Sequence, residues 1–442
     1  MWYMIVTYIV MFSTFVGLIF SYFNLLLLLE KREEKRKLMK LPKVSIIVPA
    51  YNEEAHIAET IESLLNLDYP KDKLEIIVID DGSTDRTYNI AKKYEEKYPD
   101  IVKVYRKRNG GKASALNFGI KLATGKYIAT MDADSVVPRE ALKKMLEYFT
   151  DERVMIVIPA VQVKRKKTFI EKVQYIEYSY NNTLREIFEK LNSIYVAPGP
   201  FSVFRRELFE KIGYFDENNL TEDMEIALRA QHHGYRIRYC PEVIIKTETP
   251  KTFKQLFRQR IRWYLGFVEN YLKYRKIRNF LLRELVFASA WIFIIVPTIL
   301  LLLNMYFNLE GVFASVNYYL SIKFDILPEI LYALYYPSIN WEVIKTAYIA
   351  NGLWLTFLGI VIFIIFILLV RFAWKYEKDR SIGALIAYSY MYTIVYSIFW
   401  LGVFYYKIFG KELRWGGIVW KNSLLNKLKN GRIFERLNKW LT

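Results

Sequence analysis

Four runs of the sequence, residues 4–29, 285–306, 348–370 and 382–406, are each about twenty or more residues long and almost free of charge. Roughly 20 apolar residues wound as a helix cross a ~30 Å hydrocarbon layer, so these runs predict membrane helices. Nothing else in the sequence restricts the fold as much, because the rest of the chain has to be arranged around them. The first run is longer than the apolar segment of a signal peptide and no small-residue cleavage site follows it, which predicts a retained anchor. Residues 31–43 then carry seven Lys or Arg against two Glu. By the positive-inside rule the segment that follows is expected in the cytoplasm.

The tail, residues 407–442, holds nine Lys or Arg against two Glu and is expected inside as well. Three spans after a cytoplasmic domain would put it outside. Either residues 311–336 contain another passage or one apolar run is re-entrant or interfacial. The formal net charge of +18 is accounted for by basic residues flanking the apolar runs, so nucleic acid is not implied. Cys240 is the single cysteine, which excludes a disulfide framework or a cysteine-based metal site within one chain. Abundant Lys, Glu, Ile and Tyr are compatible with a thermophilic source.

Between the first two apolar runs the pattern changes to that of an α/β domain. VSIIV (44–48), LEIIVI (74–79), VKVY (102–105) and YIATM (127–131) read as strands, and residues 53–67 and 85–98 read as helices between them. Short β-rich runs separated by single helices predict a mostly parallel sheet with its cleft beyond the carboxyl ends of the strands. Those ends run into PAYNEE, DDGSTD, RKRNGGKAS and DADS, so acidic and Gly-rich turns collect on one rim. A further strand is expected at 155–163, an amphipathic helix at 168–191, a turn-rich APGPFSVFRRE, and a helix capped by Thr221 with Met224, Ala227 and Leu228 facing a core. Residues 252–275 read as a basic amphipathic helix lying on a membrane surface.

The rim residues suggest particular chemistry. Asp132 and Asp134 form a D-x-D at a strand end, where two carboxylates on one side can bind a hard divalent cation that in turn holds a diphosphate. A solvated turn fits the same residues. Asp80 and Asp81 can accept hydrogen bonds from a nucleobase or ribose, or can cap the following helix through an Asx turn. Tyr51 suits stacking on a base, and Lys112, behind Gly110 and Gly111 at a helix start, suits a phosphate oxygen. Glu222 and Asp223 offer a general base for a sugar hydroxyl, or merely complement a helix dipole. His56, His232, His233 and the basic run 164–167 are expected to pack, cap a helix or face solvent and lipid headgroups.

Taken in order, VSIIVPAYNEE, VIDDGSTD, NGGKASALNFGI, MDADS, APGPFSVFRRE, LTEDMEIALR and QRIRW resemble the membrane-bound glycosyltransferases of family 2. The likeness is to the inverting group that includes poly-N-acetylglucosamine, hyaluronan, chitin and cellulose synthases, and it runs from residue 44 to about 267. It implies a cytoplasmic α/β GT-A fold, Rossmann-like with a mostly parallel sheet, between N- and C-terminal transmembrane helices. It implies contacts from Tyr51, Glu53, Asp80, Asp81 and Lys112 to the nucleotide of a UDP-sugar, with Asp132 nearer the nucleotide and Asp134 on Mg²⁺ or Mn²⁺. It makes Asp223, with Glu222 and Thr221 beside it, the site of the catalytic base. Gln259, Arg262 and Trp263 match Q-x-x-R-W, which implies Gln259 and Arg262 on the UDP, with Arg262 at the diphosphate, and Trp263 under the acceptor sugar with Thr221 beside it. Arg258 and Arg260 are left to hold the helix at the headgroups.

The domain plan expected is an N-terminal membrane helix (1–30), a catalytic domain (31–250), interfacial helices (251–284), a membrane region (285–406) and a basic tail (407–442). Two departures stand out: one apolar run precedes the domain where the processive synthases usually have more, and no gating loop of the cellulose-synthase type is legible after Trp263. The function expected is elongation of a β-linked polysaccharide from a UDP-sugar, UDP-N-acetylglucosamine or UDP-glucose, with export through the bilayer. The alternatives are addition of one sugar to a lipid-linked acceptor and a non-catalytic sensor of nucleotide sugars. Oligomeric state is not legible.

Overall fold

The computed structural model describes residues 22–30, 40–284, 382–408 and 412–420, with a few isolated positions elsewhere. The chain divides into two compact units, one of Met1–Leu29 and Ser289–Phe372, the other of Glu30–Ala288 and Ala373–Thr442. The first is represented by few described residues; the second holds the fold described below. The apolar runs 285–306 and 348–370 fall almost wholly outside the described residues. The run 382–406 is helical, yet among the described residues no helix is long and apolar enough to cross a membrane.

Eight strands form one sheet in the order β3-β2-β1-β4-β7-β6-β8-β5. They are β1 (Val44–Ala50), β2 (Leu74–Asp80), β3 (Val102–Arg106), β4 (Tyr127–Thr130), β5 (Ser135–Val136), β6 (Val154–Val163), β7 (Ser202–Arg205) and β8 (Arg236–Thr247). Strands β3, β2, β1 and β4 are parallel neighbours, as the alternation with helices predicts. The other half is different. β7 is antiparallel to both β4 and β6, and β5 is antiparallel to β8, while β6 and β8 pair in parallel, so the sheet is mixed, with β5 and β7 running against the other strands. The reason lies in the connections: β7 emerges from the turn-rich segment after a long helix, with no β-α-β crossover to set a parallel direction.

The strands β1 and β2 are buried almost throughout, reading as continuous Val and Ile runs because helices cover both faces. Helices α1 (Ile57–Leu65), α2 (Thr87–Lys97), α3 (Lys112–Leu122) and α4 (Ala141–Leu146) follow β1, β2, β3 and β5. Ile46, Val48, Ile61, Leu64, Ile76 and Val78 belong to one buried cluster that joins the sheet to these helices. The remaining helices are α5 (Phe169–Lys190), α6 (Arg206–Ile212), α7 (Glu222–His232), α8 (Phe253–Tyr274) and α9 (Ile382–Ile408).

Both α5 and α8 begin with a capping box, Thr168 with Glu171 and Thr252 with Gln255, which fixes their start within a residue of the sequence reading. α8 was expected to lie on a membrane surface. One face of it, with Leu256, Arg260, Ile261, Leu265 and Phe267, is buried and the helix packs against α7 and α9, while Phe253, Lys254 and Arg258 are exposed. Gly266 permits this approach, since a Cβ there would meet Thr221 Oγ1 at 2.3 Å. A small hairpin, β9 (Leu413–Trp415) and β10 (Ile418–Trp420), completes the unit.

Candidate active site

The carboxyl ends of β1 and β2 open into two loops that are tied to each other. Asn52, in the left-handed region at φ 55°, donates its backbone N–H to Ser83 Oγ (3.0 Å) and accepts from Thr84 N (2.9 Å). Glu53 N donates to Thr87 Oγ1 (2.8 Å) and Glu54 N to Asp85 Oδ2 (3.2 Å). Cross-linking of this density holds the rim in one shape before any ligand arrives.

Asp80 and Asp81 are both buried, and the chain itself occupies their carboxylates. Asp80 pairs with Arg106 (3.0 Å) and accepts from Ser83 N (3.3 Å). Asp81 accepts from Gly111 N (2.7 Å), Gly110 N (3.1 Å) and Lys107 Nζ (2.7 Å). It therefore organises the glycine loop in front of α3. The turn in front of α2 is made instead by Asp85, which accepts from Thr87 N (2.9 Å), and the N-cap residue Arg86 makes no side-chain cap bond.

That loop aims Lys112, the first residue of α3, across the cleft. Its ammonium pairs with Asp132 of the D-x-D and lies 3.5 Å from Glu222. Burial alone would lower its pKa, but Asp132, Glu222 and Asp223 outweigh burial and hold the ammonium above its ordinary value. Gly199 closes over this pair: a Cβ there would meet Lys112 Nζ at 2.3 Å and Asp132 Oδ2 at 2.6 Å. Two residues on, buried Phe201 sits at φ 62°, a costly conformation for a bulky side chain that the surrounding sheet enforces.

Asp134 accepts from Ser135 Oγ (2.9 Å) and Thr247 Oγ1 (3.2 Å), and burial followed by the Asp132 charge raises its pKa. Glu53, held near it and 3.1 Å from His56 Nδ1, is pushed up to about 7, first by burial and then by Asp134. His56 thus does more than pack. Among the described residues no group of three or more His, Cys, Asp or Glu is arranged to hold a metal by itself. The donor set nevertheless fits a divalent cation of the Mg²⁺ or Mn²⁺ type, which takes one or two carboxylates and completes its shell from substrate phosphates. Crowded carboxylates, in which the Asp132 charge adds to burial in raising Asp134 and the Asp134 charge does the same for Glu53, are what such a cation would relieve.

Asp223 lies at the start of α7, beside Glu222. Burial and then the Glu222 charge raise its pKa to about 6, against the lowering pull of Lys112 and Arg262. Thr221, expected as a helix cap, makes no side-chain cap bond; its hydroxyl accepts from Asn270 Nδ2 of α8 at 2.9 Å, stitching the two helices together.

On α8, Gln259, Arg262 and Trp263 share one face through i, i+3 and i+4 spacing. Arg262 donates to Leu220 O (2.9 Å), and its Nε is buried with no hydrogen-bond partner among the described residues. Arg260, expected at the headgroups, is fully buried and paired with Glu177 at 2.6 Å. The basic run is also engaged: Lys164 pairs with Glu59 (2.7 Å), and Arg165 with Glu248 (3.2 Å). His233 is the exposed C-cap of α7, as expected.

The hairpin β9–β10 was not foreseen as part of the site. Trp415 lies against the Arg262 guanidinium, 4.7 Å from its ring centroid. Asn109 Nδ2 donates to Gly416 O at 3.0 Å. A Cβ on Gly417 would meet Tyr51 Oη at 2.7 Å, so the turn rests directly on the tyrosine expected to stack on a base. The signal for it was present as Gly-Gly between Trp415 and Ile418, a two-residue hairpin turn in which both glycines have positive φ.

A mixed α/β sheet whose strand ends carry a D-x-D, a lysine-bridged acidic cluster and an arginine-bearing helix defines a GT-A-like fold. Residues 45–213 match the family model described as glycosyl transferase family 2. A probable glycosyltransferase, YdaM, of Bacillus subtilis is 32% identical over 292 residues, 62% of this chain and 70% of that protein. The poly-beta-1,6-N-acetyl-D-glucosamine synthase of Staphylococcus aureus is 30% identical over 298 residues, 63% of this chain and 70% of that protein. Among solved structures, the mannosyltransferase PcManGT from Pyrobaculum calidifontis, in complex with GDP-Man and Mn²⁺, has a similar fold. Its TM-score is 0.57 at 24% identity, covering 78% of this chain and 97% of that one. The chain belongs to glycosyltransferase family 2 and is a glycosyltransferase, which removes the non-catalytic sensor from consideration.

Proposed function

We propose that this enzyme transfers a hexose from a UDP-sugar, UDP-N-acetylglucosamine or UDP-glucose, to the end of a β-linked polysaccharide, with inversion at the anomeric carbon. The observation that carries the reading is the run of charge from Asp132 through Lys112 to Glu222 and Asp223, with the unpartnered Nε of Arg262 beside it. Asp223 takes the proton of the acceptor hydroxyl as that oxygen bonds to the anomeric carbon and the bond to the diphosphate breaks. Lys112 and Arg262 take up the charge that develops on the departing diphosphate. A divalent cation held by Asp134 and Asp132 would supply Lewis-acid stabilisation of the same leaving group. Tyr51, Glu53, Asp80 and Asp81 shape the nucleotide end, and Trp263 with Thr221 the acceptor end.

The four apolar runs support a membrane-anchored enzyme of the plasma membrane, its catalytic unit and basic tail cytoplasmic, that exports its product through its own helices. The test is UDP release by the full-length protein across a panel of nucleotide sugars, followed by sizing of the labelled product. A ladder of long products from UDP-N-acetylglucosamine or UDP-glucose is expected. A single-sugar adduct on a lipid would replace this reading with lipid-linked transfer.

A further inference from the structure

Arg260 stands between the fixed positions of Gln259-x-x-Arg262-Trp263, and its surroundings differ from those of an anchoring cation. Its side chain is fully buried and meets Glu177 of α5, itself 2% exposed, at 2.6 Å. A second guanidinium nitrogen donates to Gln259 Oε1 at 3.0 Å. The guanidinium also lies 4.0 Å from the ring centroid of Trp263, one turn further along the helix. One side chain thus touches the first and last residues of the motif and is itself pinned by a carboxylate from another helix.

Stability does not explain such an arrangement. Replacing a buried ion pair by apolar side chains of similar volume is often neutral or stabilising, because two charges no longer have to leave water. What the pair does provide is direction. A guanidinium is planar and stacks on an indole face while its edge donates hydrogen bonds, a combination that the ammonium of lysine lacks. With Glu177 holding one edge, the plane is set, and with it the tilt of the Trp263 ring and the orientation of the Gln259 amide.

We propose that Arg260, locked by Glu177, is a positioning residue that sets the Trp263 platform on which the acceptor sugar lies. The proposal rests on the reading of Trp263 as that platform. A tilted platform displaces the acceptor hydroxyl from Asp223 while leaving the nucleotide end of the cleft intact, and misplacement by about 1 Å can cost on the order of 100-fold. The loss is therefore specific to the acceptor: donor still binds, and more of it is spent on water.

The experiment uses full-length protein in detergent or nanodiscs, with the donor that gives turnover and a short β-linked oligosaccharide of the same sugar as acceptor. UDP release and sugar transferred to the acceptor are measured together for Arg260→Lys, Glu177→Gln and Trp263→Ala. Arg260→Lys and Glu177→Gln are each expected to raise the acceptor KM at least about 10-fold and to lower the ratio of sugar transferred to UDP released, with the donor KM within about twofold of wild type. The double variant Arg260→Met with Glu177→Leu, which replaces the whole pair by apolar side chains of similar bulk, should show the same acceptor defect at an undiminished melting temperature. Wild-type acceptor KM in Arg260→Lys and Glu177→Gln, with Trp263→Ala impaired, overturns the role of Arg260 alone. Wild-type acceptor KM in Trp263→Ala overturns the platform reading and the proposal together. Parallel changes in donor and acceptor KM in the Arg260 variants also overturn it, since they mark a general loss of structure.

Discussion

Asp223 carries the clearest consequence at the level of single residues. Its carboxyl is raised to about 6 by burial and then by Glu222, so below that pH the protonated acid predominates and cannot accept a proton. Activity is accordingly expected to fall as pH drops through about 6, kcat/KM losing about tenfold per unit below it and levelling off above. Glu222→Gln removes one cause of the rise and should move the limb to lower pH; a limb that stays in place would separate Asp223 from it. Gly199 gives a second expectation. Because a Cβ there would collide with Lys112 and Asp132, Gly199→Ala should reduce kcat/KM at least about tenfold in protein that melts normally, as read by UDP release and thermal denaturation. The acidic residues of the cleft were legible because their motifs stand in one order along the chain, although each by itself fits a solvated turn as well. Gly199 was not, since only the folded turn brings it against Lys112, and neither was the burial of Arg260, whose partner Glu177 lies 83 residues away on another helix.

At the level of elements, the strands β1 to β4 and the long helices could be read within a few residues, because hydrophobic period and capping boxes are local signals. β8 could not. Its sequence RIRYCPEVIIKT carries charges at positions that a strand would bury, and only in the fold does Arg238 find Glu189, at 2.7 Å, which lets an interior strand hold a guanidinium. The hairpin β9–β10 was absorbed into the basic tail for a similar reason. Two short strands are marginal by themselves. What fixes them is the contact of their turn with Asn109 and Tyr51 and of Trp415 with Arg262. Gly417→Val strains a turn at φ 78° and pushes into Tyr51, so it should raise the donor KM about tenfold without altering the melting temperature. An unchanged donor KM would detach the hairpin from the nucleotide end.

On the scale of the whole molecule, two parts of the chain have different physical logic. The catalytic unit is organised by a buried sheet and by charges that neutralise one another across its rim; the apolar runs are proposed to answer to a hydrocarbon solvent. The proposed divalent cation belongs to this scale because it would join protein and substrate charges in one site. EDTA is expected to abolish UDP release, and Mg²⁺ or Mn²⁺ to restore it, while full activity in excess chelator would exclude the arrangement proposed for Asp132 and Asp134. The central claim is that a nucleotide sugar gives up its hexose to a hydroxyl deprotonated by Asp223. The most direct measurement is UDP release by purified Asp223→Asn, a nearly isosteric change that cannot accept the proton. A loss of about 10²- to 10⁴-fold in protein that still binds UDP is the predicted result. Release near the wild-type rate would contradict it.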